Sequence, residues 1–186
     1  TFLNTNLNAN LKYQIKNNTN LFVSFNSEKS ENSTKTISNN ISTYENYFLG
    51  FGYEYKILKN DVFKNDLFFI NINPTFGKRK TTNNTSKQIK ITATLSYLLD
   101  LNRNNSIYFR NKTALLNSTN YFDNELFRIG GNNSIRGFNE QSIFVKNYSI
   151  QNIEFRHQTS KSSYLYTTTD LALISTTNSK EKLYSF

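Results

Sequence analysis

The residues of this sequence from which an acid-base site would have to be made are two carboxylates, Glu154 and Asp170, and the single histidine, His157. Paired carboxylates can divide the roles of acid and base in a hydrolase, and a histidine titrates near neutrality. Neither arrangement has the surroundings that chemistry needs. His157 falls on the outward phase of a strand beside a turn, an interfacial or solvent position rather than that of a base or a metal ligand. Glu154 and Asp170 follow a loop that carries Arg136, and a guanidinium is a structural partner for both, because it can fork two N–H bonds onto carboxylate oxygens. Around Arg136 runs the stretch Phe127 to Phe138, which holds Gly130, Gly131 and Gly137, three of the six glycines. Glycines so concentrated make positive φ and close backbone approach cheap. The motif Ile135-Arg136-Gly137-Phe138 therefore reads as a tether, with Gly130 and Gly131 shaping the loop, although by itself the stretch also fits an ordinary surface turn. Gly130-Gly131 lacks the strand-to-helix context of a phosphate loop. With no cysteine there is neither a disulfide nor a thiolate ligand. The expectation is a protein with no catalytic residue, no metal and no cofactor, and not an enzyme.

The elements that must position these residues alternate with a period of two. From Leu3 to Ile15 apolar or small residues occupy the odd positions, and Asn4, Asn6, Asn8, Asn10, Lys12 and Gln14 the even ones. Alternation of that length predicts one long strand with an apolar and a polar face. The pattern resumes at Leu21 to Phe25, Tyr44 to Ile57, Phe68 to Phe76, Ile89 to Leu99, Ile107 to Leu115, Tyr148 to Gln158 and Tyr164 to Ile174, and a further strand begins at Lys182. Pro74 suggests that its ladder is ending. Ser27 to Thr43, Lys59 to Asn65, Lys78 to Ser86 and, longest, Asn117 to Asn147 read as connections, with Lys78, Arg79 and Lys80 in a solvated turn. Taken in order, the connections run short then long, the long ones at one end of an up-and-down sheet.

Such a sheet, with tyrosines near strand ends and polar opposite faces, predicts an all-β, antiparallel transmembrane barrel segment of about eight long strands. Leu7, Leu49, Phe51, Ile91, Leu95, Ile153, Leu171 and Leu173 would face lipid. A soluble sandwich also alternates, but strands this long with polar inner faces would bury little between two sheets. No run approaches the length of an apolar membrane helix. The net charge of +9 is dispersed rather than gathered in a stripe with exposed aromatics, so lipid headgroups or a cationic lumen account for it and no nucleic-acid partner is expected. A chain beginning at Thr1 with no methionine reads as a mature or excised segment.

Phe127-Arg128-Ile129-Gly130-Gly131, then Ser134-Ile135-Arg136-Gly137-Phe138, then Asn152-Ile153-Glu154-Phe155-Arg156, then Asp170, resembles the C-terminal barrel of the bacterial surface antigen superfamily, which includes the BamA/TamA-type outer-membrane assembly factors and the two-partner secretion transporters. The resemblance implies a sixteen-strand barrel represented in part, residues 1–186, without POTRA domains. It implies a sixth extracellular loop, about 117–147, folded into the lumen, whose Arg136 pairs with Glu154 and an inward Asp170. Thr168 and Ala172 depart from the family's residues flanking that acid. The function implied first is assembly and insertion of outer-membrane proteins in a Gram-negative bacterium. The partners would be outer-membrane lipid, unfolded outer-membrane protein substrates and accessory assembly lipoproteins. The alternatives are translocation of one secreted partner, or a passive pore or adhesin.

Overall fold

A computed structural model describes residues 2–32, 42–58, 66–160, 163–177 and 179–185. Nine of its strands form one antiparallel sheet: β1 (Phe2–Lys16), β2 (Thr19–Asn32), β3 (Tyr44–Leu58), β4 (Asp66–Lys80), β5 (Thr85–Asp100), β6 (Asn105–Ser118), β9 (Asn147–Gln158), β10 (Tyr164–Ser175) and β11 (Lys180–Ser185). They lie side by side in chain order. Two short strands, β7 (Phe127–Ile129) and β8 (Ile143–Val145), pair separately inside the connection between β6 and β9. Among the described residues there is no α-helix. The fold is thus the all-β, up-and-down arrangement expected: eight long strands and, after Ile174, the further strand expected at Lys182, which forms as the short β11. The sheet is open, with β1 and β11 at its edges.

Register converts the alternation into two surfaces. Leu7, Leu49, Phe51, Ile153 and Leu173 are exposed on one face, and Ile91, Leu95 and Leu171 lie half-buried between neighbours on the same face. The opposite face carries Asn46, Asn71, Asn73, Lys90, Lys112, Asn152, Glu154 and Asp170, of which Asn152 and Asp170 are direct ladder partners. A soluble protein does not leave so continuous an apolar face uncovered.

Several boundaries differ from the sequence reading. Ser27–Asn32 is not loop but the end of β2, paired with residues 2–7 of β1, because ladder hydrogen bonds are indifferent to polar side chains. The rest of that connection, 33–41, and the connection 59–65 lie outside the described residues. Lys78, Arg79 and Lys80 are ladder residues opposite Lys87, Ser86 and Thr85, so the connection between β4 and β5 is the tight turn 81–84, closed by Thr81 N–H donating to the Asn84 carbonyl at 2.8 Å. At the same end Thr176 N–H donates to the Ser179 carbonyl at 2.9 Å, so the connection from β10 to β11 is also short. The strict alternation of short and long connections therefore fails, although the two long ones, 33–43 and 119–146, do share one end. Pro74 does not end its strand. The β3–β4 pairing skips Phe51 and Gly52, opposite the residues around the proline, while Pro74 remains paired with Ile91 on its other side. A residue without an N–H interrupts only the ladder its nitrogen faces.

Two open edges have a measurable consequence. An unpaired backbone group costs several kcal/mol in hydrocarbon, and only pairing of the edges removes that cost. Residues 1–186 expressed alone are therefore expected to associate or aggregate in detergent. A monodisperse, heat-modifiable monomer, seen by gel mobility with and without boiling, would contradict this.

Candidate functional site

The long connection folds as a hairpin because its sequence places glycine where the chain must reverse. β7 pairs with β8, Phe127 opposite Val145 and Ile129 opposite Ile143. Just beyond, Gly130 has φ 115°, and a Cβ there would stand 2.2 Å from the Asn139 carbonyl oxygen. Any other residue would be strained by both. Gly131 and Gly137 also take positive φ, and Gly131 N–H donates to the Phe138 carbonyl at 3.0 Å, closing the tip that presents Ile135 and Arg136. The Ser134 hydroxyl accepts from Gly130 N–H at 2.7 Å.

An apolar cluster docks this hairpin on the inner wall. Ile135 is fully buried, packed with Ile129 and Val145 of the loop and with Ile150, Ala172 and Ile174 of β9 and β10, while Phe127, Phe138 and Leu183 flank it. The molecule's core thus lies between loop and wall rather than between two sheets.

Around that cluster the polar groups converge. Arg136 Nη2 donates to Glu154 Oε1 at 2.5 Å, Nη1 donates to the Thr168 hydroxyl, and the Arg136 main-chain N–H donates to Asp170 Oδ2 at 2.8 Å. The guanidinium Nε is 3.8 Å from the same Asp170 oxygen. The geometry differs in one respect from a guanidinium forked across two acids. Glu154 and Thr168 take its hydrogen bonds, and Asp170 mainly holds the loop backbone. Thr168, a departure from the superfamily pattern, is thereby a direct partner of the arginine. Asp170 and Glu154 are both buried on the inner face, on neighbouring strands. His157 is exposed on the outward face, its Nδ1 2.7 Å from Asn105 Oδ1.

A family model described as Haemolysin secretion/activation protein ShlB/FhaC/HecB matches residues 3–173, which include the hairpin, Arg136, Glu154 and Asp170. The chain belongs to this family. No match was found among curated proteins. As a member of the ShlB/FhaC/HecB family it falls among the outer-membrane β-barrel protein-transport families of the wider superfamily.

In this ShlB/FhaC/HecB chain two further site residues, Asn152 and Arg156, belong to the Asn-x-Glu-x-Arg run of the resemblance, although their contacts are not legible in the sequence. Asn152, fully buried, donates to Asp170 Oδ1 at 2.7 Å and to the Ser134 carbonyl at 2.9 Å, and accepts from Arg110 Nε at 3.0 Å, so it binds wall and loop at once. Arg156 donates to Glu154 Oε2 at 2.7 Å and lies 4.3 Å over the Tyr108 ring, leaving Glu154 between two cations. Ile150, Ala172 and Ile174 share the phase of these polar residues, a hint that part of the inner wall is not wet. By sequence the Lys78–Lys80 cluster reads as a solvated turn. Arg79 is nonetheless buried against Glu125, Nη1 to Oε1 2.6 Å.

Proposed function

We propose that the chain forms the wall and inner loop of an outer-membrane barrel that translocates a secreted partner protein, as in two-partner secretion. The observation that carries this reading is the match to a haemolysin secretion/activation family over residues 3–173. That match favours the secretion alternative over insertion of other outer-membrane proteins, which the superfamily resemblance alone had put first. The inner face supports it. Asn8, Asn10, Asn26, Asn73, Thr75 and Thr92, with Phe25, Phe48 and Lys90, border one recess of that face, and its amides and hydroxyls can exchange hydrogen bonds with an unfolded backbone.

Within this reading Arg136, Glu154, Thr168, Asp170 and Asn152 hold the hairpin against the β9–β10 wall, and the apolar cluster excludes water from that contact. Lipid covers the outward face, and a secreted protein is the partner. The test is depletion of the full-length protein in its own host. Loss of one or a few exported proteins from the medium, with the abundance of all other outer-membrane proteins unchanged, is expected. A general fall in outer-membrane proteins would return the insertase reading.

A further inference from the structure

The first part of the long connection is fixed at a place remote from the Arg136 site. Leaving β6 at Ser118, the chain crosses the inner side of β5, β4 and β3 and reaches β2 within a few residues. Four strand spacings amount to roughly 19 Å along the sheet, about the span of six extended residues. Each strand on the way supplies a bond. Gln88 of β5 donates to Glu125 Oε2 at 3.0 Å, and Arg79 of β4 donates to Glu125 Oε1 at 2.6 Å and to the Asn120 carbonyl at 3.0 Å. The Tyr44 hydroxyl of β3 donates to the Asn124 carbonyl at 3.1 Å, and Asn124 Nδ2 donates to the Ser30 hydroxyl of β2 at 2.7 Å. A 3₁₀ turn, Asp123–Glu125, bends the Glu125 carboxylate back onto Phe122 N–H at 3.1 Å, and the Phe122 ring lies 4.2 Å under the Arg79 guanidinium and stacks on Tyr44.

We propose that Arg79 and Glu125 are a second latch, independent of Arg136, which holds residues 119–126 as a lid across the mouth of strands β2–β5. Both side chains of this pair are almost fully buried. Breaking such a pair from one side strands the other charge, so the latch is all-or-none rather than graded. It is also a latch that water can open. Arg79 Nε, Gln88 Oε1, Asn46 Oδ1 and Ser86 Oγ are buried there with no hydrogen-bond partner among the described residues, and hydration of the opened site satisfies them. Arg79 sits on β4 and Asp170 on β10, again about 19 Å apart along the sheet, beyond the range at which two sites share an energy. The loop thus hangs from two points. Release of the lid leaves the tip docked, and release of the tip leaves the lid closed.

Chymotrypsin distinguishes the two, because Tyr121 and Phe122 lie in the lid and Phe138 at the tip. In the full-length protein, Glu125→Gln is expected to raise cleavage at 121–122 on the order of tenfold or more. Cleavage at 138 should change less than about twofold, and Arg136→Ala should do the reverse. Open-channel conductance in planar bilayers should rise in Glu125→Gln, and heat-modifiability should be retained. Asn124→Ala, which spares the ion pair, should give a smaller rise at 121–122 and provides the reading should Glu125→Gln fail to fold. Unchanged cleavage at 121–122, a joint rise at both places in either variant, or unaltered conductance would overturn the proposal. Because these readouts need no secreted substrate, they are independent of whether the partner is secreted or inserted.

Discussion

Arg136→Ala in the full-length protein is expected to free the hairpin tip from the wall and abolish most transport, while the outward strands stay folded. Removing the guanidinium leaves Glu154 with one cation instead of two and the Thr168 hydroxyl without its donor. Loss of one partner of a fully buried charge pair costs about 3 to 5 kcal/mol, and less in a wet lumen. These groups are mostly but not entirely buried, so the lower part of that range applies. The structure also ranks the partners. Glu154→Gln should couple strongly to Arg136→Ala in a double-mutant cycle, because side chain meets side chain. Asp170→Asn should couple weakly, because its short contact is to the Arg136 main-chain N–H, which alanine keeps. Protease access at Phe138 measures each variant. A tip no more accessible in Arg136→Ala than in the parent, or strictly additive effects of Arg136→Ala and Glu154→Gln, would show that the arginine does not hold the loop.

Ile135→Ala should be comparably damaging without touching any charge. Ile135 is the residue through which the tip enters the cluster of Ile150, Ala172 and Ile174, and a fully buried isoleucine cut to alanine costs about 2 to 5 kcal/mol through lost transfer energy and the cavity left behind. Only loop docking depends on that cluster, so the whole cost falls on the docked state of the hairpin. Leu173→Ala is the matched control. It removes a similar side chain from β10, but one that is 53% exposed on the outward face, and should leave Phe138 protected. Equal loss of protection in the two variants would mean that the barrel wall as a whole, rather than the loop contact, had been weakened.

The alternation in residues 3–15, 44–57, 89–99 and 148–158 was sufficient by itself to define long two-faced strands and to separate outward leucines from inward asparagines, because the side-chain period of a strand is fixed by backbone geometry. Gly130, Gly131 and Gly137 likewise announced a shaped loop, since positive φ is a property of single residues. Their spacing with Arg136, Glu154 and Asp170 pointed to the superfamily. Strand ends were hidden at Ser27–Asn32 and Lys78–Lys80, where polar side chains join a ladder made by main-chain atoms and composition is silent. Which bond each group makes was decided only by the fold. Register puts Thr168 opposite Glu154 and Asn152 opposite Asp170, and so turns a departure from the family pattern into a partner of Arg136. Nothing near Arg79 in sequence forecasts its burial. Its partner, Glu125, comes from the connection after β6, and only the path of that connection across the inner ends of β2–β5 brings the two together, excluding the water that would otherwise have kept Arg79 at the surface.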